Sequence, residues 1–197
     1  MLEYSKSRIM ALIVAVLIIW IVFLCFRWNY RHSESDLSFD AGENTELSIS
    51  TAGSSVIIES GKSGKIEIHA ERIRGFRDMS SGSVISLNAE ESRMGKGIIR
   101  ITLPESSLKS VSVSSASGDI DAYSVFGGSI NLSVASGDVK LHDSSADSVS
   151  VTSASGDISI MDTDGDRITI SSASGDIEAI GIKCSEISMK SASGDIY

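Results

Sequence analysis

The sequence predicts an all-β protein, a parallel β-solenoid of 19-residue rungs, preceded by one N-terminal transmembrane helix. Three observations carry this expectation. The hexapeptide Ser115-Ala116-Ser117-Gly118-Asp119-Ile120 returns in near-copy with its glycine at Gly137, Gly156, Gly175 and Gly194, each step being nineteen positions. A fixed period of this kind marks an array whose units pack only on their neighbours. Within each period apolar and polar residues alternate, which is the periodicity of a strand and not of a helix. Residues 9–26, finally, run for 18 positions without a charge.

Taken in order, residues 1–8 read as a short tail and residues 9–27 as a membrane anchor. Eighteen apolar residues make about 27 Å of helix, close to the thickness of a bilayer core. Lys6 and Arg8 flank the stretch on one side and Arg27 and Arg31 on the other, with Tyr4, Trp28 and Tyr30 where interfacial aromatics belong. Leu24-Cys25-Phe26-Arg27-Trp28 offers no small-residue cleavage site, which favours an anchor over a cleaved signal peptide. Phe23 and Leu24 argue against a processed lipoprotein cysteine at Cys25. Residues 28–36 are then a short linker, and 37–197 the solenoid. The basic residues are balanced across the anchor. Its place before a long Ser-rich, Cys-poor domain points to a single-pass protein of the cell membrane with that domain outside the cytoplasm. With the four basic and one acidic residues of 1–32 set aside, 13 basic and 25 acidic side chains remain, a charge of −12. That balance disfavours nucleic acid as a partner. Cys25 and Cys184 lie too far apart in role to form a staple, so stability must come from stacking.

Each rung has two strands. The first carries Val111/Val113 and recurs as Ile130/Leu132, Val149/Val151, Ile168/Ile170 and Ile187/Met189. The second carries Ile120/Ala122 and recurs as Val139/Leu141, Ile158/Ile160, Ile177/Ala179 and Ile196. If these face a core, then Ser112, Asn131, Ser150, Thr169 and Ser188 face water. In the turn, Gly118 and its repeats are expected at a positive φ, at the third position of a type II turn beginning at Ala116. Ala116, Ala135, Ala154, Ala173 and Ala192 are expected to point into a tight corner. The neighbouring Ser and Asp would bond backbone groups the corner leaves unpaired.

The register also extends backwards. Leu47/Ile49, Ile66/Ile68 and Ile85/Leu87 keep the spacing of the first strand, Leu37/Phe39 and Val56/Ile58 that of the second, and Thr51-Ala52-Gly53 retains an alanine and a turn glycine. The phase breaks once, by seven residues, around Ser92-Arg93-Met94-Gly95-Lys96-Gly97, which reads as an inserted loop before Ile101/Leu103. About eight consecutive rungs are expected. The last, Ile187 to Tyr197, has no visible cap and suggests self-association through its edge.

The anchor, the rungs of hydrophobic-x-hydrophobic on either side of a glycine, and the repeated Ser-Ala-Ser-Gly-Asp-Ile together resemble the bacterial putative-adhesin family of β-strand-repeat proteins, a domain-of-unknown-function family, over roughly Leu37 to Tyr197. The resemblance implies a single-stranded, right-handed parallel β-helix on a cell-envelope protein. Some members are linked to envelope stress, and no catalytic residues or cofactors are established.

Candidate chemistry is sparse. Asp119, Asp138, Asp157, Asp176 and Asp195 would stack as a carboxylate ladder, each pair repelling by roughly 1 kcal/mol in water. The ladder either binds calcium or caps the backbone without an ion. A calcium-binding β-roll needs Gly-Gly-x-Gly-x-Asp on both sides of its turn, and one side lacks it here. Asp162-Thr163-Asp164-Gly165-Asp166 spells the start of a calcium loop, but Arg167 stands where the EF-hand glycine belongs. His32, His69 and His142 have no ligand spacing for zinc. No Ser lies in Gly-x-Ser-x-Gly. Arg72, Arg74, Phe76 and Arg77, with Arg93 and Lys96 in the phase-breaking loop, gather basic residues on an acidic domain. They are candidates for contact with anionic lipid or wall polymer.

Two functional classes follow. One is a non-catalytic, membrane-tethered envelope protein that binds another envelope component or its own kind. The other is a carbohydrate-active β-helix enzyme, for which so short a rung leaves little material to build a cleft. An ice-binding face is a weaker third reading, because the outward positions form no threonine array.

Overall fold

The computed structural model describes residues 20–21, 34–91 and 97–197. The predicted anchor therefore lies outside the described residues except for Trp20 and Ile21, which are helical. No helix among the described residues is long and apolar enough to cross a membrane. The chain divides into two units, Met1–Ser33 and Glu34–Tyr197.

The second unit is all β. Its strands are β1 (Glu34–Asp40), β2 (Glu46–Thr51), β3 (Ser55–Gly61), β4 (Lys65–Glu71), β5 (Ile73–Asp78), β6 (Val84–Glu91), β7 (Ile98–Pro104), β8 (Leu108–Ser115), β9 (Ile120–Tyr123), β10 (Phe126–Ser136), β11 (Val139–His142), β12 (Ser145–Ser155), β13 (Ile158–Met161), β14 (Asp164–Ser174), β15 (Ile177–Ile180) and β16 (Lys183–Ser191). They form two eight-stranded sheets. One runs β1-β4-β7-β3-β9-β11-β13-β15, the other β16-β14-β12-β10-β8-β2-β6-β5.

From β8 onward the solenoid is regular. Long and short strands alternate, and each pairs in parallel with its counterpart in the next period, as in Val149↔Ile168 and Val139↔Ile158. Alternation puts Ile130, Leu132, Val149, Val151, Ile168 and Ile170 of the long strands against Val139, Leu141, Ile158, Ile160 and Ile177 of the short ones, all buried in one core. At about 25 cal/mol per Å² of apolar area removed from water, these columns are the main stabilising force of the array.

The early register is corrected in three ways. First, the rungs do not follow one another in chain order. β2 lies between β6 and β8, and β3 between β7 and β9, with Leu47 paired to both Ile85 and Val111. The rung β6–β7 is thus laid down after β2–β3 yet stacks on its far side. Second, Ile66/Ile68 belong to the short-strand sheet. β4 runs antiparallel to β1 and to β7, so its alternation of buried residues is as expected but it lies in the other sheet. Third, Val56 pairs with Ile99 and Ile58 with Ile101, so Ile99/Ile101 and not Ile101/Leu103 fall in step with Ile120/Ala122. The separation of Ile85 from Ile99 exceeds that of Leu47 from Val56 by five residues, not seven. The loop around 92–96 lies outside the described residues.

The corners also differ from expectation. The long strands keep alternating one pair further than the sequence suggested, so Ser115, Val134, Ser153 and Ser172 are buried and Ala116, Ala135, Ala154, Ala173 and Ala192 are exposed. Ala52 is likewise exposed, beside buried Thr51. The glycine corner is not a type II turn. Gly156 has a φ of 150°, far from the value of about 80° that such a turn needs, and Gly118 has no positive φ at all. What all the repeats share is crowding: a Cβ on Gly118 would collide with Ser54 O, and one on Gly156 with Gly137 O. Glycine is needed because backbone stacks on backbone there. The left-handed residue of each rung sits at the other corner, at Ser124 (φ 52°), Asp143 (φ 50°), Asp162 (φ 47°) and Gly181 (φ 67°), again one period apart. Short polar side chains and glycine tolerate that conformation best.

Candidate functional site

Ladder geometry governs every surface feature. At the glycine corner the backbone N–H of Asp138 donates to Asp119 Oδ1 at 3.1 Å, that of Asp157 to Asp138 Oδ1 at 2.9 Å, that of Asp176 to Asp157 Oδ1 at 2.9 Å, and that of Asp195 to Asp176 Oδ1 at 2.8 Å. One oxygen of each of the first four carboxylates is therefore committed to the amide one rung further along. The five aspartates are brought together in one ladder, in which the first four carboxylates cap backbone amides. No group of three or more His, Cys, Asp or Glu among the described residues is placed to hold a metal ion. Asp162 forms a left-handed corner, and Asp164 faces Lys183 at 3.7 Å, so the calcium-loop spelling is a rung link.

Of the basic cluster, the first four residues belong to β5 and the turn before it. Arg72 is the turn residue between β4 and β5, with a φ of 60°, while Arg74, Phe76 and Arg77 lie on β5, the edge strand antiparallel to β6. Phe76 is half-buried against the core and Arg77 reaches Glu90 at 3.7 Å. Arg93 and Lys96 lie outside the described residues.

The two outer faces differ in character. Across the short-strand sheet one column reads Asp36, His69, Arg100, Ile57, Asp121, Lys140, Ser159 and Glu178. It is charged. At its start a groove of about 440 Å³ is lined by Asp36, Glu67, His69, Arg100 and Thr102. Asp36 Oδ1 lies 2.5 Å from His69 Nδ1, and this hydrogen bond, helped by the negative charges of Asp36, Glu71 and Glu34, raises the imidazole above its ordinary value against a lowering by burial. Nothing in the sequence signals this pair, because Asp36 and His69 meet only through the antiparallel β1–β4 ladder.

Across the long-strand sheet the matching column reads Ser86, Ser48, Ser112, Asn131, Ser150, Thr169 and Ser188, one residue from each of seven strands and none charged. The next column reads Asn88, Ser50, Ser114, Ser133, Thr152, Ser171 and Lys190. Hydroxyls bond along the stack, Ser129 Oγ to Ser110 Oγ at 3.0 Å and Thr152 Oγ1 to Ser133 Oγ at 3.1 Å. Beside the second column the outward alanines floor a groove of about 600 Å³ lined by Ser133, Thr152, Ser171, Ala135, Ala154 and Ala173. The alanines thus keep this groove open; they do not fill a corner.

Such a molecule is a two-sheet β-solenoid whose features are open ladders and shallow grooves along the stack. The chain belongs to the Toastrack DUF4097 family, which it matches over residues 32–197. Its fold is similar to that of a putative cell adhesion protein from Clostridium sporogenes, with a TM-score of 0.51 at 12% identity over 83% of this chain and 97% of that one. It is also similar to that of a putative adhesin from Parabacteroides distasonis, with a TM-score of 0.50 at 14% identity over 81% of this chain and 78% of that one. No curated protein sequence matches the chain significantly.

Proposed function

We propose that the protein is a non-catalytic, membrane-anchored component of the bacterial cell envelope. Residues 9–27 tether it and the right-handed solenoid is presented outside the cytoplasm as a rigid contact surface. The observation that supports this reading is the nearly uncharged grid on the long-strand sheet: thirteen of the fourteen positions in the two columns given above are Ser, Thr or Asn, with the charges of this face gathered in the neighbouring column at Glu46, Arg167 and Glu186, on a domain that is otherwise strongly acidic. Hydroxyl and amide groups that both donate and accept, repeated about 4.8 Å apart across strands, suit a neutral, polyhydroxylated envelope polymer better than a charged one. The test is cosedimentation of the chain with isolated neutral envelope polysaccharide. Binding that is lost in Ser150→Glu and retained in Lys140→Glu, on the opposite face, supports the reading. Absence of binding by the unaltered chain overturns it. Protease added to intact cells tests the topology: the solenoid should be digested, and full protection until lysis would place it in the cytoplasm.

A further inference from the structure

Among the described residues β16 is the terminal strand of its sheet. It pairs with β14 on one side and with no strand among the described residues on the other. The core is least covered in this layer: Ile187 is 42% exposed and Ile196 44%, whereas Ile168 and Ile177, their counterparts one rung earlier, are fully buried. An edge that presents free backbone N–H and C=O groups beside bared apolar side chains is a template for one more strand.

The residues of β16 indicate which strand fits. Read outward from Ser188, Ile187 and Met189 lie one place to either side on the core face, and Glu186 and Lys190 two places to either side on the outer face. Antiparallel pairing of β16 with β16 of a second copy, about a twofold axis through Ser188, therefore sets Glu186 opposite Lys190 of the second copy and Ile187 opposite its Met189. Each contact is made twice, as an isologous interface requires. The strand is self-complementary in charge and in shape.

We propose that the protein forms a closed, end-to-end homodimer through this pairing. Charges on an edge strand commonly guard it against a further strand. Here opposite signs at matched distances from the centre turn the same charges into a register for one partner. The strand at the other edge of the same sheet does not offer a comparable template. There β5 carries a register irregularity between Ile73 and Gly75 and begins beside Arg72, with Arg74 and Arg77 along it. A head-to-tail filament joining β16 to β5 has no such matched set, so assembly stops at two.

Sedimentation equilibrium of the full chain in detergent tests the proposal with four samples: the unaltered chain, K190E, E186K, and an equimolar mixture of the two variants. In K190E two carboxylates face each other at both contacts of the homodimer, and in E186K two ammonium groups do. Each variant should weaken dimerisation by about tenfold or more, with K190Q falling between K190E and the unaltered chain. The mixture should recover the dimer, because the heterodimer again opposes unlike charges. Glu186 also accepts from Arg167 Nε at 2.9 Å, so the K190E and K190Q series stands as a separate measurement if E186K proves unstable. An unaltered chain that stays monomeric at the highest concentration reached overturns the proposal. So does a dimer that is indifferent to the substitutions at Lys190.

Discussion

At Gly156 two demands coincide, since its φ of 150° penalises any side chain and a Cβ would collide with Gly137 O. At Gly118 only the collision remains, with Ser54 O. Gly156→Ala and Gly118→Ala should therefore both destabilise the domain by roughly 2 to 3 kcal/mol, read from the urea midpoint. A mild effect at Gly118 alone would show that conformation and not crowding selects glycine. The neighbouring aspartate can be separated into charge and hydrogen bond. Asp157→Asn keeps an oxygen for the Asp176 amide and should be nearly silent, whereas Asp157→Ala leaves that amide without its partner and should cost about 1 kcal/mol. His69 gives the solenoid a small pH dependence. Its folded value is raised, chiefly by the Asp36 hydrogen bond. The stabilisation is thus complete below the unfolded value near 6.5 and is lost as pH rises through the folded one. Because the imidazole is 40% exposed, solvent screening holds the effect to about a few tenths of a kcal/mol. Melts of the parent and His69→Gln at about pH 6 and pH 8 should differ in that direction.

The long strand is the element that sets the rung, and its inward column Thr51, Ser115, Val134, Ser153, Ser172 shows what the core accepts. Ser153 Oγ reaches Gly137 O at 3.4 Å, whereas Ser172 Oγ is buried with no hydrogen-bond partner among the described residues. Val134 already fills the same position one rung from Ser153 without disturbing the ladder. Ser172→Val should consequently raise the melting temperature, by an amount corresponding to about 1 kcal/mol for removing an unsatisfied buried hydroxyl. A lower melting temperature would mean that the hydroxyl is engaged in solution. Leu132→Ala should cost about 2 to 5 kcal/mol, as a cavity between two sheets that cannot close on it. The side on which the repeat alanines lie is not legible from their identity, because alanine is equally at home inside and outside. Only the phase of the strand through Ser155 decides its side.

For the whole molecule, the two halves should respond differently to loss of a repeat. Each regular rung touches only its neighbours, so deleting residues 139–157 should leave a shorter solenoid that still melts cooperatively, at a lower temperature. Deleting residues 46–64, a stretch of the same length, removes the rung that both β6–β7 and β8–β9 rest on, and should abolish folding as judged by circular dichroism. Equal damage from both deletions would argue against a modular array.

By itself the sequence determined the 19-residue rung, the two columns that form its core, the outward hydroxyl positions and the glycine corner. These depend on period, and period is local: alternation tells which side of a strand is dry, and a repeated glycine tells where chain returns on chain. The tertiary structure alone decided that β2–β3 stacks between β6–β7 and β8–β9, that β4 joins the short-strand sheet antiparallel, and that Asp36 meets His69. A strand patterned like Leu47/Ile49 presents the same backbone donors and acceptors as one patterned like Ile66/Ile68. Its partner and direction are therefore fixed by which arrangement of all the strands buries the most apolar surface and leaves the fewest edges unpaired.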